Sequence, residues 1–84
     1  YPKAPTLLLI IPNKHISSLS IKSDEVCDIL GHMFTMAGQI AITEGVDQSG
    51  YRLIVNQGLD AGQEIEHLHM HLLGGTRLGP MKEA

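Results

Sequence analysis

Residues 67–72 alternate strictly between imidazole and apolar side chains, with His67, His69 and His71 at the odd positions and Leu68, Met70 and Leu72 at the even ones. Successive side chains of a β-strand point to opposite faces, so this period of two predicts a strand. Its three rings share one face, each roughly 6.6 Å from the next, and its apolar side chains enter a core. A helix would scatter residues two apart around its surface. Upstream, residues 6–11 form a continuous apolar run that ends at Pro12 and reads as a strand buried on both faces. Residues 51–56, in which Leu53 and Val55 alternate with Arg52 and Ile54, read as a further strand.

Between these strands the period changes. Val26, Ile29, Leu30, Met33, Met36, Ala37, Ile40 and Ala41 recur at spacings of three and four, which predicts a helix over about residues 23–44 with one stripe toward the sheet. Ser20 or Ser23 caps its first turn, Asp24 and Glu25 suit the positive end of its dipole, and Gly45 stops it. At 1.5 Å per residue such a helix is about 33 Å long. Gly31 and Gly38 in its interior cost about 1 kcal/mol each relative to alanine, and mark close packing against another element. Cys27 falls inside the apolar pattern and reads as a small core residue. His32 lies on the solvated flank.

Turns complete the outline. Two prolines make residues 1–5 an extended lead-in, and the turn at 12–15 sets His15 at the mouth of a strand. The glycine-bearing loop 57–63 returns the chain to the histidine strand, so the strands at 51–56 and 67–73 are antiparallel neighbours with Asn56 near the start of the latter. Residues 74–81 read as an arm that reaches a neighbour. The expected fold is α+β, an antiparallel sheet with one long helix packed on it, and residues 1–84 make a single domain.

Composition narrows the class. Eighty-four residues, 43% hydrophobic and 18% charged, describe a small globular domain that gains from a partner. A net charge of −3 argues against broad binding to nucleic acid. No apolar run long enough to cross a bilayer is evident, and a single cysteine excludes an internal disulfide, so a cytoplasmic protein with no membrane partner is expected.

The grouped histidines admit two chemistries. Alternating histidines can converge on zinc, with Glu64 and Glu66 nearby as oxygen ligands or base. Three rings along about 13 Å of strand are, however, widely spread for one small ion, and no CxxC or helical His-Glu pair accompanies them. The other chemistry is group transfer. Imidazole has an ordinary pKa near 6.5, so one ring can attack phosphorus while a neighbour donates a proton, splitting one displacement into two easier ones. In that reading the amides of the Gly58 and Gly62 loop cradle phosphate oxygens and Asn56 supplies a neutral amide, without a metal or other cofactor.

The run from His67 to Leu73, followed by Gly74 and Gly75, resembles the His-x-His-x-His signature of the histidine triad family. Residues 9–16, with Pro12, Lys14 and His15, resemble the strand and turn of that family, and residues 51–58 and 62–64 resemble its phosphate-site segments. Gln63 and Glu64 before the triad, and the residues from Leu78 to Met81 after it, are similar to the bacterial nucleotide-binding branch. The resemblance implies hydrolysis of purine nucleoside 5′-phosphoramidates by a homodimer whose sheet continues into its partner. It implies His69 as nucleophile, His71 as phosphate binder and proton donor, and His67 and His15 as the network that orients His69. Asn56, Gly62, Gln63 and Glu64 would line the phosphate site. Glu66 departs from the family pattern, where an aromatic or apolar residue precedes the triad, and its carboxylate is expected to bias protonation there. The family's usual N-terminal segment, which supplies ribose and base contacts, is not represented in these residues, and the alternative expectation is a nucleotide-binding or scaffold module with little catalysis.

Overall fold

A computed structural model describes residues 5–80. The lead-in over residues 1–4 and Met81 of the expected arm lie outside the described residues. The described residues form three strands and one long helix: β1 (Thr6–Ile10), α1 (Asp24–Thr43), β2 (Tyr51–Ile54) and β3 (Met70–Gly74), with a short 3-10 turn at Leu59–Ala61. The sheet order is β1-β3-β2 and both pairings are antiparallel. The strand next to the histidines is therefore central. Leu9 and Ile54 flank His71, while Leu8 and Leu53 flank Leu72.

The period-two pattern does what alternation requires. Leu68, Met70 and Leu72 are almost fully buried and meet Val26, Met33, Ala37 and Ala41 of α1, with Ile16 and Val46 closing the core. The helix begins where Ser23, in extended backbone, accepts a hydrogen bond on its side chain from the amide of Val26. It ends in a Schellman turn: Gly45, at φ 74°, donates to the carbonyl of Ile42, and Val46 donates to that of Ala41. That turn carries Val46 from the helix end straight into the core.

Several expectations need correction. The run at 6–11 is not buried on both faces, since among the described residues β1 is an edge strand whose Leu7, Leu8 and Leu9 are all exposed. Among the described residues α1 covers one face of the three-stranded sheet. Cys27 is exposed rather than in the core, because it sits beside the buried stripe and not within it. Neither Gly31 nor Gly38 marks a tight approach, as an added Cβ would meet nothing within 4 Å at the first and only the Tyr51 hydroxyl at 3.9 Å at the second. The close approach is at Gly74. A Cβ there would lie 3.2 Å from that of Val46 and 3.3 Å from the carbonyl oxygen of Gly50.

By length and composition alone α1 is apolar enough to cross a bilayer. One of its faces is nevertheless committed to the sheet through Val26, Met33, Ala37 and Ala41.

Candidate active site

The histidines gather where the turn after β1 meets the segment entering β3. Ladder pairing starts only at Met70, so His71 alone of the triad lies on the regular strand. His67 and His69 lie just before it, on a segment tied to the other turn by the Leu68 amide, which donates to the carbonyl of Ile16 at 2.7 Å. The expected row of evenly spaced rings is thereby replaced by two contacts. His67 packs nearly parallel to His15, centroids 4.7 Å apart, and His69 meets His71 edge to face at 5.1 Å.

Hydrogen bonds assign the protons. A carbonyl oxygen only accepts, so His67 Nε2, 3.0 Å from the carbonyl of Pro12, carries a hydrogen. In neutral His67 the Nδ1 atom is then the acceptor, and His15 Nδ1, at 3.1 Å, is the donor. The same logic applies to His69, whose Nδ1 lies 2.8 Å from the carbonyl of His67 and donates to it. A neutral His69 therefore holds its lone pair on Nε2. His69 is 6% exposed, yet among the described residues no buried side-chain nitrogen or oxygen lacks a partner. Among the described residues Nε2 makes no hydrogen bond, so it is not sealed from the surface. The backbone carbonyl of His67 thus holds the tautomer of a nitrogen poised to attack, and that of Pro12 fixes the neighbouring ring of His67.

The loop expected to cradle phosphate is built differently. The amides of Ala61 and Gln63 both donate to the carbonyl of Gly58, and that of Gly62 donates to the carbonyl of Leu59. The Gly58 amide is taken by Gln63 Oε1 at 2.7 Å. The glycine loop therefore spends these donors on its own closure, with Gly62 in the left-handed region at φ 79°. Asn56 ties into the same loop, its Nδ2 donating to the carbonyl of Ala61 at 2.9 Å. Extending the β2 register two residues past Ile54 and its partner His71 sets Asn56 opposite His69. Gln63 is occupied within the loop, and Glu64 is exposed beside it. Glu66 is also exposed, and the one ion pair among the described residues joins Lys14 to Glu25 at 2.6 Å, so no carboxylate pairs with a triad ring there. Among the described residues no group of three His, Cys, Asp or Glu side chains is disposed to hold a metal ion.

Two contributors escaped sequence reasoning. Pro12 acts through its carbonyl, for which no side-chain signature exists. Gln57 accepts from the Leu19 amide at 3.0 Å and bonds Gln63 at 3.3 Å.

A small α+β layer with paired imidazoles at one end of its sheet defines a protein whose chemistry is that of histidine. The HIT domain family profile matches residues 1–78, and the chain belongs to that family. A purine nucleoside phosphoramidase of Escherichia coli K12 is 52% identical over 80 residues, which span 95% of this chain and 67% of that protein. Among solved structures, a HIT family hydrolase from Legionella pneumophila Philadelphia 1 superposes with a TM-score of 0.84 at 42% identity, covering 93% of this chain and 70% of that one. A histidine triad protein from Clostridium difficile gives 0.85 at 41% identity, covering 98% and 71%.

Proposed function

We propose that this protein hydrolyses purine nucleoside 5′-phosphoramidates through a covalent nucleotidyl-histidine. The observation that carries the reading is the carbonyl-held Nδ1–H of His69, which leaves the Nε2 lone pair outward. Support also comes from the 52% identity to the Escherichia coli purine nucleoside phosphoramidase. Nε2 of His69 attacks the α-phosphorus and the P–N bond breaks. The amine leaves with a proton from His71, whose ring meets that of His69 edge to face. Water then attacks the same phosphorus and gives a proton back to His71, the bond to Nε2 breaks, and the nucleoside 5′-monophosphate departs as the imidazole of His69 is restored. His67 and His15 hold the tautomer and orientation of the network. Asn56 stands beside the phosphoryl group, while Gly62, Gln63 and Glu64 shape the loop around it. The route calls for no metal or other cofactor.

Denaturation at alkaline pH during turnover of adenosine 5′-phosphoramidate, followed by peptide mass measurement, is expected to find one adenylyl group on the peptide that contains His69. Its absence from an enzyme that is turning over would overturn the covalent route.

The same proposal includes a homodimer in the cytoplasm, without nucleic-acid or membrane partners. Beside its buried stripe, α1 exposes Cys27, Phe34 and Ile42, and this second apolar face runs toward β2 at Gly38, where an added Cβ would lie 3.9 Å from the Tyr51 hydroxyl. β2 also has an unpaired edge. One patch therefore offers both apolar area and strand pairing to a second copy. Light scattering at micromolar concentration is expected to give twice the chain mass; a monomer mass would refute the dimer.

A further inference from the structure

Outside the imidazoles, the side chain of Gln63 makes an unusual set of bonds. Its Oε1 accepts from the Gly58 amide at 2.7 Å and from Gln57 Nε2 at 3.3 Å. Its Nε2 donates to the carbonyls of Ile65 at 2.9 Å and Glu66 at 3.3 Å. Two donors meet the oxygen and two acceptors meet the nitrogen, so one orientation of the amide satisfies all four contacts and the flipped one satisfies none. Both lone pairs and both hydrogens are taken, which leaves nothing for a phosphate.

Gln57 carries the bonding further, because its Oε1 accepts from the Leu19 amide at 3.0 Å. One end of this bridge is the segment that follows His15. The other is Glu66, the residue before His67. The same two segments are tied a second time by the Leu68 amide and the Ile16 carbonyl.

We infer that Gln63, acting with Gln57, is a positioning residue for the histidine site rather than a substrate ligand. The paired amides set the separation of the segments bearing His15 and His67, and through the His67 carbonyl they set the ring of His69. The inference rests on the reading of His69 as nucleophile. A displacement of about 1 Å at a reacting atom costs on the order of 100-fold in rate, so a brace this close to the nucleophile acts on chemistry before it acts on binding.

The test replaces Gln63 by methionine, which keeps the length of the side chain and removes all four bonds. The expected result is a loss of about 10- to 100-fold in kcat for adenosine 5′-phosphoramidate, with KM changed less than about twofold. Gln57→Met is expected to lower kcat in the same direction, and the double variant to be no worse than Gln63→Met, since both break one bridge. A second measurement is independent of turnover. Long-range proton–nitrogen correlation spectra are expected to show His69 as the single Nδ1–H tautomer in the unaltered protein and as a mixture in Gln63→Met. A raised KM at unchanged kcat would make Gln63 a substrate ligand and overturn the inference, as would an unchanged kcat together with an unchanged His69 spectrum. If the unaltered protein releases no amine, the phosphoramidase reading fails and the spectra alone decide the brace. If Gln63→Met does not fold, Gln57→Met, which leaves the backbone contacts of Gln63 in place, carries both comparisons.

Discussion

Replacing His69 by alanine is expected to lower kcat for amine release from adenosine 5′-phosphoramidate by on the order of 10⁴-fold or more, while calorimetric binding of AMP persists. The size of the loss follows from the lack of a substitute. Both nitrogens of His67 are engaged, one with the Pro12 carbonyl and one with His15. His71 has no carbonyl bond to hold its tautomer among the described contacts, and its ring stands edge-on to His69 rather than in its place. His71→Ala removes a proton donor and keeps the nucleophile, so its loss is expected to be the smaller, about 10²- to 10⁴-fold. The two variants thus separate the roles by magnitude. Circular dichroism of His69→Ala guards against a trivial cause, since the ring is buried and its removal leaves a small void. Undiminished turnover in a folded His69→Ala protein would remove this residue from the nucleophile's role.

What could be read from the sequence was set by side-chain period. The alternation from Leu68 to Leu72 and the three-and-four spacing from Val26 to Ala41 are burial patterns, and burial is what the structure realises. Capping was legible for the same local reason: Ser23 and Gly45 carry the chemistry of a helix start and a left-handed stop. Less legible was anything that depends on which element covers which. Leu7, Leu8 and Leu9 are as apolar as a core strand, yet the position of β1 at the edge of the sheet leaves them exposed. Gly74 looks like part of a loose Gly-Gly turn, but Val46 and Gly50 press on it only because the helix end and the β2 turn meet there. The site shows the same division. Three alternating histidines announce imidazole chemistry, whereas the tautomer that makes His69 reactive is set by a backbone carbonyl, a group that every residue possesses and no motif records. Gln63 was legible as a member of the site; its internal bonds, and hence its kind of role, were not.

Leu72→Ala is expected to destabilise the fold by about 3 kcal/mol, within the usual range for truncating a buried leucine. Leu72 is fully buried on the central strand, with Leu8 and Leu53 beside it in the ladder. Its loss therefore opens a cavity that edge strands cannot collapse to fill, because both are hydrogen-bonded to β3 itself. A domain of this size has a total stability of roughly 4–13 kcal/mol, so the change removes a large fraction of it. Each kcal/mol shifts Tm by about 4–8 °C in a domain of 60–100 residues, so calorimetry is expected to record a fall of more than about 10 °C. Adjacent His71 points to the opposite face, so at temperatures where the variant remains folded kcat should stay within a few-fold of the unaltered protein. Activity lost well below the melting transition would mean that the core face and the histidine face are coupled more tightly than strand alternation implies. A destabilisation below about 1 kcal/mol would instead place Leu72 outside the core, and with it the strand register on which the positions of His69 and His71 depend.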